Sequence, residues 1–212
     1  MDRNFFRADA LTLAEKLIGK TLVRRTGGVE ICGIISETEA YMGITDRACH
    51  AYGGRRTKRT ETMYMDGGHA YVYLIYGMYS CLNVTANKAD VPEAVLIRGV
   101  YPTGGIDALL DNVRKTSRRK TIPTDVSKLT PAELYSFTNG PGKLCNAMGV
   151  TRDLDRCDLT GGDLFIRDDG WRAGKILTSS RIGIDYAGEA AAYPWRFTVD
   201  ESSGVPNFLK KQ

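Results

Sequence analysis

The stretch "HAYVYLIYGMYSCLNVTA", His69 to Ala86, constrains the fold more than any other part of the chain. Its apolar and aromatic residues alternate with the two-residue period of a strand, not the 3.6 of a helix. Tyr71, Tyr73 and Ile75 fall on one face, and Val72, Leu74 and Tyr76 on the other. Tyr76-Gly77-Met78-Tyr79 reads as a two-residue hairpin with glycine first, the type II′ preference. Further strands are read in "TLVRR" and "VEICGIIS", separated by the turn-like "TGG", and in "EAVLIRGVYP", "DLFIR", "ILTSSRIGI" and "WRFTV". "ADALTLAEKLIGK" has helical spacing and stops at Gly19. Residues 105–120 and both sides of "NGPG" in "TPAELYSFTNGPGKLCNAMGV" are read as helices. The pattern predicts a mixed α/β (α+β) fold with a largely antiparallel sheet.

At 212 residues the chain is read as one domain, 1–212, with a lightly ordered tail from about residue 200. No apolar run approaches the ~18 residues of a membrane span, and the start carries no signal-peptide pattern. The expected compartment is intracellular. Five scattered cysteines without a CxxC pair argue for reduced thiols and against a disulfide framework or a zinc site. Two basic clusters, "GGRRTKRT" and "NVRKTSRRK", stand out against a net charge of only +4. They fit solvated loops or phosphate contacts, and charge alone does not choose between them. The long loop 42–62, rich in Gly, Arg and Thr, favours a functional role.

"SETEAYMG", Ser36 to Gly43, follows the apolar run of "VEICGIIS". Strand alternation brings Glu37, Glu39 and Tyr41 out on one face, with the two carboxylates roughly 6–7 Å apart. Seven of the eleven tyrosines, both histidines and the first basic cluster lie between residues 41 and 79. Aromatics beside arginines suit stacking on bases while phosphates are held. Tyr76, on a protruding hairpin, is placed to wedge a base step apart. Wedge, aromatic pocket and carboxylate together suggest base flipping, with Glu37 or Glu39 activating a water against a glycosidic bond. The plain alternative is that both acids pair with arginines.

"ETEAYMG", "ACHAYGGRRTKRTETMYM", "YVYLIYGMYSCLNV", "AVLIRG", "GPGKLCNAMGV" and "SSRIGIDYAGE…PWRFTV", in that order, closely resemble the alkyladenine (methylpurine, 3-methyladenine) DNA glycosylase family. The resemblance implies a single domain around a curved antiparallel sheet with a DNA-inserting hairpin. It implies a monofunctional repair glycosylase without lyase activity. Such an enzyme removes purines of the 3-methyladenine, 7-methylguanine, hypoxanthine and ethenoadenine type from duplex DNA and leaves an abasic site. It makes Glu39 the general base and assigns Glu37 no role. Tyr41, His50, Tyr73 and Asn83 line the base pocket, Asn83 discriminating against guanine, and Tyr76 intercalates. Backbone carbonyls of Arg98 and Ile182 hold the water, while Arg55, Met63, Met78, Tyr79 and Lys143 serve DNA binding. No cofactor or metal is implied. The expected partner is double-stranded DNA containing damaged purines, with no membrane association. The expected protein is a cytoplasmic, bacterial-type, nucleoid-associated monomer.

Two other readings fit the same residues less closely. A metal-dependent nuclease would use Asp153, Asp155, Asp158, Asp163 and Asp168-Asp169. A non-catalytic nucleic-acid module would keep its carboxylates for structure alone.

Overall fold

The computed structural model describes residues 1–116, 122–123 and 125–203. Arg118, Arg119 and Lys120 of the second basic cluster, and the tail beyond residue 203, lie outside the described residues. Eight strands make one antiparallel sheet: β1 (Thr21–Thr26), β2 (Val29–Tyr41), β3 (Ala70–Ile75), β4 (Tyr79–Ala86), β5 (Glu93–Gly104), β6 (Leu164–Arg167), β7 (Ile176–Ser179) and β8 (Arg196–Val199). The order is β3-β4-β5-β2-β1-β6, with β8 laid on β2 and β7 on β8. Register shifts between β2 and β5 bend the sheet into a curled half-barrel. This is the mixed α/β fold that the alternation predicts.

The helices are α1 (Arg3–Phe6), α2 (Ala10–Leu17), α3 (Ile106–Thr116), α4 (Pro131–Ser136) and α5 (Pro141–Met148). Asp9 caps α2 by accepting from the Thr12 N–H. Thr130 and Glu133 form a capping box on α4, with Pro131 in its first turn. The apolar stripe of α2 (Ala10, Leu13, Ala14, Leu17) is fully buried and joins Ile35, Leu82, Ile97, Leu109 and Leu144 in the main core. The Thr38 hydroxyl donates to the Ala14 carbonyl at 2.9 Å, tying the helix to β2 beside the two carboxylates.

β2 runs through "ETEAY" to Tyr41, 13 residues in all. One edge pairs with β5 from Cys32 to Tyr41. The other pairs first with β1 up to Ile34, then with β8 from Glu37 to Glu39. Glu37 and Glu39 therefore lie on a strand flanked on both sides, which is why they are buried.

Two expectations are corrected. The strand read through "ILTSSRIGI" stops at Ser179, and Arg181–Ile184 form a loop in which Gly183 takes φ +73°. The hairpin turn is not type II′ at Gly77-Met78. Ile75 pairs with Tyr79, the Met78 N–H donates to the Ile75 carbonyl at 3.2 Å, and Tyr76 and Gly77 take φ of 52° and 69°. Two left-handed central residues are the type I′ pattern, whose twist matches the flanking strands. Tyr76 thereby leaves the face of Val72 and Leu74 and becomes part of the turn.

Candidate active site

Alternation along β2 puts Glu37, Glu39 and Tyr41 on the same side, as the period requires. Glu39 is fully buried. The Tyr41 hydroxyl donates to its Oε2 at 2.8 Å, and the Ile182 N–H donates to its Oε1 at 2.8 Å. Arg98 Nη1 stands 3.4 Å from the same Oε1. Burial and the adjacent Glu39 push the Tyr41 phenol far above its ordinary value, so it stays a donor at any working pH.

Tyr41, Arg98 and Ile182 line a cavity of about 240 Å³ and stand between Glu39 and its interior. Its aromatic wall comes from β3, where Tyr71 and Tyr73 follow the two-residue period. His50 closes that wall, its ring 4.7 Å from Tyr73 in an edge-on arrangement. Asn83, on β4 opposite Tyr71, donates from Nδ2 to the Tyr71 carbonyl at 3.1 Å. Tyr76 stands at the mouth, 85% exposed. A tyrosine in a left-handed conformation is strained by roughly 1–2 kcal/mol, and such strain clusters at functional sites.

His50 Nδ1 lies 2.9 Å from the Tyr71 hydroxyl, and Arg59 Nη2 lies 3.4 Å from Nε2. A guanidinium only donates, so Nε2 accepts and the ring proton belongs on Nδ1. Burial first, then the charges of Arg59 and Arg55, lower the His50 pKa to about 4. A proton NMR titration of the imidazole is therefore expected to show a midpoint near pH 4; one near the ordinary ~6.5 would mean a solvated ring. The unfolded chain takes up that proton at the higher value, so the folded state loses stability as pH falls from about 6.5 towards 4.

The remaining expected residues separate into two groups. Arg55 lines a second cavity of about 410 Å³ with Arg47, Arg59 and Thr57, sharing the His50 wall with the first. Met78 and Tyr79 are exposed on the hairpin, and Lys143 is exposed on α5, its Nζ donating to Asn139. Met63 is different. It is 2% exposed, packs beneath the aromatic wall and lines the cavity from below, away from the exposed hairpin. The Arg98 carbonyl, expected to hold a water, accepts from the Gly140 N–H at 2.8 Å, and it is the Arg98 guanidinium that faces Glu39.

Sequence reasoning missed a buried ion pair. Arg181, fully buried, donates to both oxygens of Asp46 and to the carbonyls of Ala40 and Ala190. Its guanidinium also covers the Tyr41 ring at 4.8 Å. This pair fixes the loop that aims the Ile182 N–H at Glu39. The partners are 135 residues apart, and nothing local in either segment announces the other.

Four of the six acids of the nuclease reading are committed to structural work. Asp155 accepts from the Thr62 hydroxyl and the Val72 N–H on the edge of β3. Asp158 pairs with Arg3, Asp168 with Lys20 and Arg172, and Asp169 with Arg167. None of them lines either cavity.

The methylpurine-DNA glycosylase family model matches residues 4–203. This chain belongs to that family. Curated relatives agree in length as well as sequence. Proteins named "Putative 3-methyladenine DNA glycosylase" from Clostridium acetobutylicum and Clostridioides difficile are each 44% identical, the matches covering 99% and 94% of this chain and 98% and 100% of theirs. One of the same name from Bacillus cereus is 45% identical, covering 98% of both chains. The family places the protein among the DNA glycosylases of base excision repair, with DNA as substrate.

Proposed function

We propose that the protein is a monofunctional glycosylase that flips alkylated or deaminated purines out of duplex DNA and hydrolyses their glycosidic bond. The observation that carries this reading is Glu39, a buried carboxylate held by two hydrogen-bond donors and faced by the Arg98 guanidinium, directly behind an aromatic cavity. A water passing between Tyr41, Arg98 and Ile182 reaches Glu39. The water oxygen bonds to C1′, the C1′–N bond breaks, its electron pair leaves on the base, and Glu39 takes the water proton. The negative charge opposes the oxocarbenium charge developing on the sugar.

Tyr41, Tyr73 and His50 supply faces for the flipped base. Both ring nitrogens of His50 are engaged by the protein, which leaves its ring face and backbone for the substrate. Asn83, with Nδ2 held by the Tyr71 carbonyl, crowds the position a guanine amino group would need. Tyr76, Met78 and Tyr79 present an exposed hairpin suited to entering the minor groove. The arginines of the second cavity suit phosphates of the flanking backbone. Among the described residues no lysine lines the base cavity, so no Schiff-base lyase step is assigned.

The test is incubation with duplexes carrying hypoxanthine, ethenoadenine or 3-methyladenine in EDTA, then hot alkali. Strand cleavage only after alkali, with no protein–DNA adduct trapped by borohydride, is expected. Failure to excise any lesion while binding stays tight would favour a non-catalytic module. For the hairpin, Tyr76→Ser is expected to abolish the response of a fluorescent base analogue at the lesion. An undiminished response would remove the wedge role.

A further inference from the structure

Glu37 shares a strand face with Glu39, and neither the family match nor the proposed chemistry uses it. Its Oε1 accepts from Arg98 Nε at 2.8 Å and from Arg196 Nε at 2.6 Å. The Glu37 and Arg98 side chains are each only 12% exposed. Arg98 is therefore divided between two carboxylates. Its Nε end is close on Glu37, while its Nη1 stands back from Glu39 at 3.4 Å.

A carboxylate offers about four lone-pair positions. On Glu39 the Ile182 N–H takes one position on Oε1 and the Tyr41 hydroxyl one on Oε2, with Arg98 Nη1 facing Oε1 at 3.4 Å, so the second position on Oε2 is left open. A guanidinium free to choose would close on Glu39 with two parallel hydrogen bonds and fill it. The contact on Glu37 holds it back.

We propose that Glu37 is a positioning residue that anchors Arg98 by its Nε, so that Arg98 faces Glu39 without closing on it and Glu39 keeps an open position for the hydrolytic water. Arg196 acts on the far side: it balances the Glu37 charge, with 25% of its side chain exposed. This inference rests on the excision reading above. In Glu37→Gln the side-chain shape and one acceptor oxygen are kept but the charge is lost, so Arg98 is held less tightly and shifts toward the charged Glu39.

The experiment is a double-mutant cycle of Glu37→Gln and Arg98→Gln, read as single-turnover excision of hypoxanthine at saturating enzyme. Affinity for an abasic-site duplex is measured alongside. Glu37→Gln is expected to slow excision about tenfold in the parent and less than about twofold in the Arg98→Gln background, with affinity unchanged. Arg196→Gln, which leaves Glu37 its hold on Arg98, is expected to keep the excision rate within about twofold. Equal slowing by Glu37→Gln in both backgrounds, or slowing by Arg196→Gln as large as by Glu37→Gln, would overturn the proposal in favour of a purely structural network. If Glu37→Gln does not fold, Glu37→Asp takes its place in the cycle: it keeps the charge but is one methylene too short to hold Arg98 Nε in place, so non-additivity of the same sign is expected. A parent protein that excises nothing defeats the excision reading itself; an active parent with an additive cycle defeats only the role of Glu37.

Discussion

In Glu39→Gln protein, excision is expected to fall about 10²–10⁴-fold, the usual contribution of a positioned general base, while affinity for lesion-bearing duplex stays within a few-fold. The amide keeps an oxygen for the Ile182 N–H, so the loop bearing Ile182 stays in place. Its NH₂ group meets the Tyr41 hydroxyl, which then accepts instead of donating. Only the charge and the ability to take a proton are lost. The stoichiometry of lesion-duplex binding, which counts competent molecules, should match the parent; a rate near the parent value would show that another group activates the water.

The largest effect on stability is expected from Arg181→Met. It strands Asp46 in a fully buried site, with only the Met42 and Ala48 N–H groups left to it. Breaking one side of a buried pair typically costs about 3–5 kcal/mol. For a chain of this size each kcal/mol lowers the melting temperature by roughly 2–4 °C, so a drop of about 6–20 °C is expected by calorimetry. Excision should fall too, because the same guanidinium holds the Ala40 and Ala190 carbonyls on either side of the Ile182 loop. A melting temperature within about 2 °C of the parent would mean that water enters and solvates Asp46.

What the sequence discloses depends on whether a period carries it. Glu39 and Tyr41, two residues apart on one strand, are placed on the same face by alternation alone. Tyr71 and Tyr73 are placed in the same way. Arg98 is harder. Its strand is plain in "AVLIRG", but which of its groups meets Glu39 depends on register shifts beside Glu37, and a bulge leaves no mark in a two-residue pattern. The guanidinium contact to Glu39 escapes the sequence reading for that reason; the Arg98 carbonyl, which accepts from the Gly140 N–H, keeps a second lone pair for a water. Tyr76 shows the same gap. Glycine marks the turn, but which neighbour joins it at positive φ is set by the twist of the paired strands. Met63 falls in a loop that looks exposed, and its burial follows only from the way the segment folds back under β3 and β5. Asp46 and Arg181 belong to segments whose meeting depends on the whole fold.

The change of partner along one edge of β2 has a consequence for how the protein is made. Residues 37 to 39 are covered on that edge only by β8, whose pairing residues begin at Arg196. A ribosome adding about 5–20 residues per second emits the acidic stretch roughly 8–30 seconds before the strand that covers it. Throughout that interval the nascent chain carries an open sheet edge and a Glu37 still without Arg196. Factors that shelter nascent chains would therefore act on this molecule at the strand that carries Glu37 and Glu39, and this edge closes only once Arg196–Thr198 have emerged.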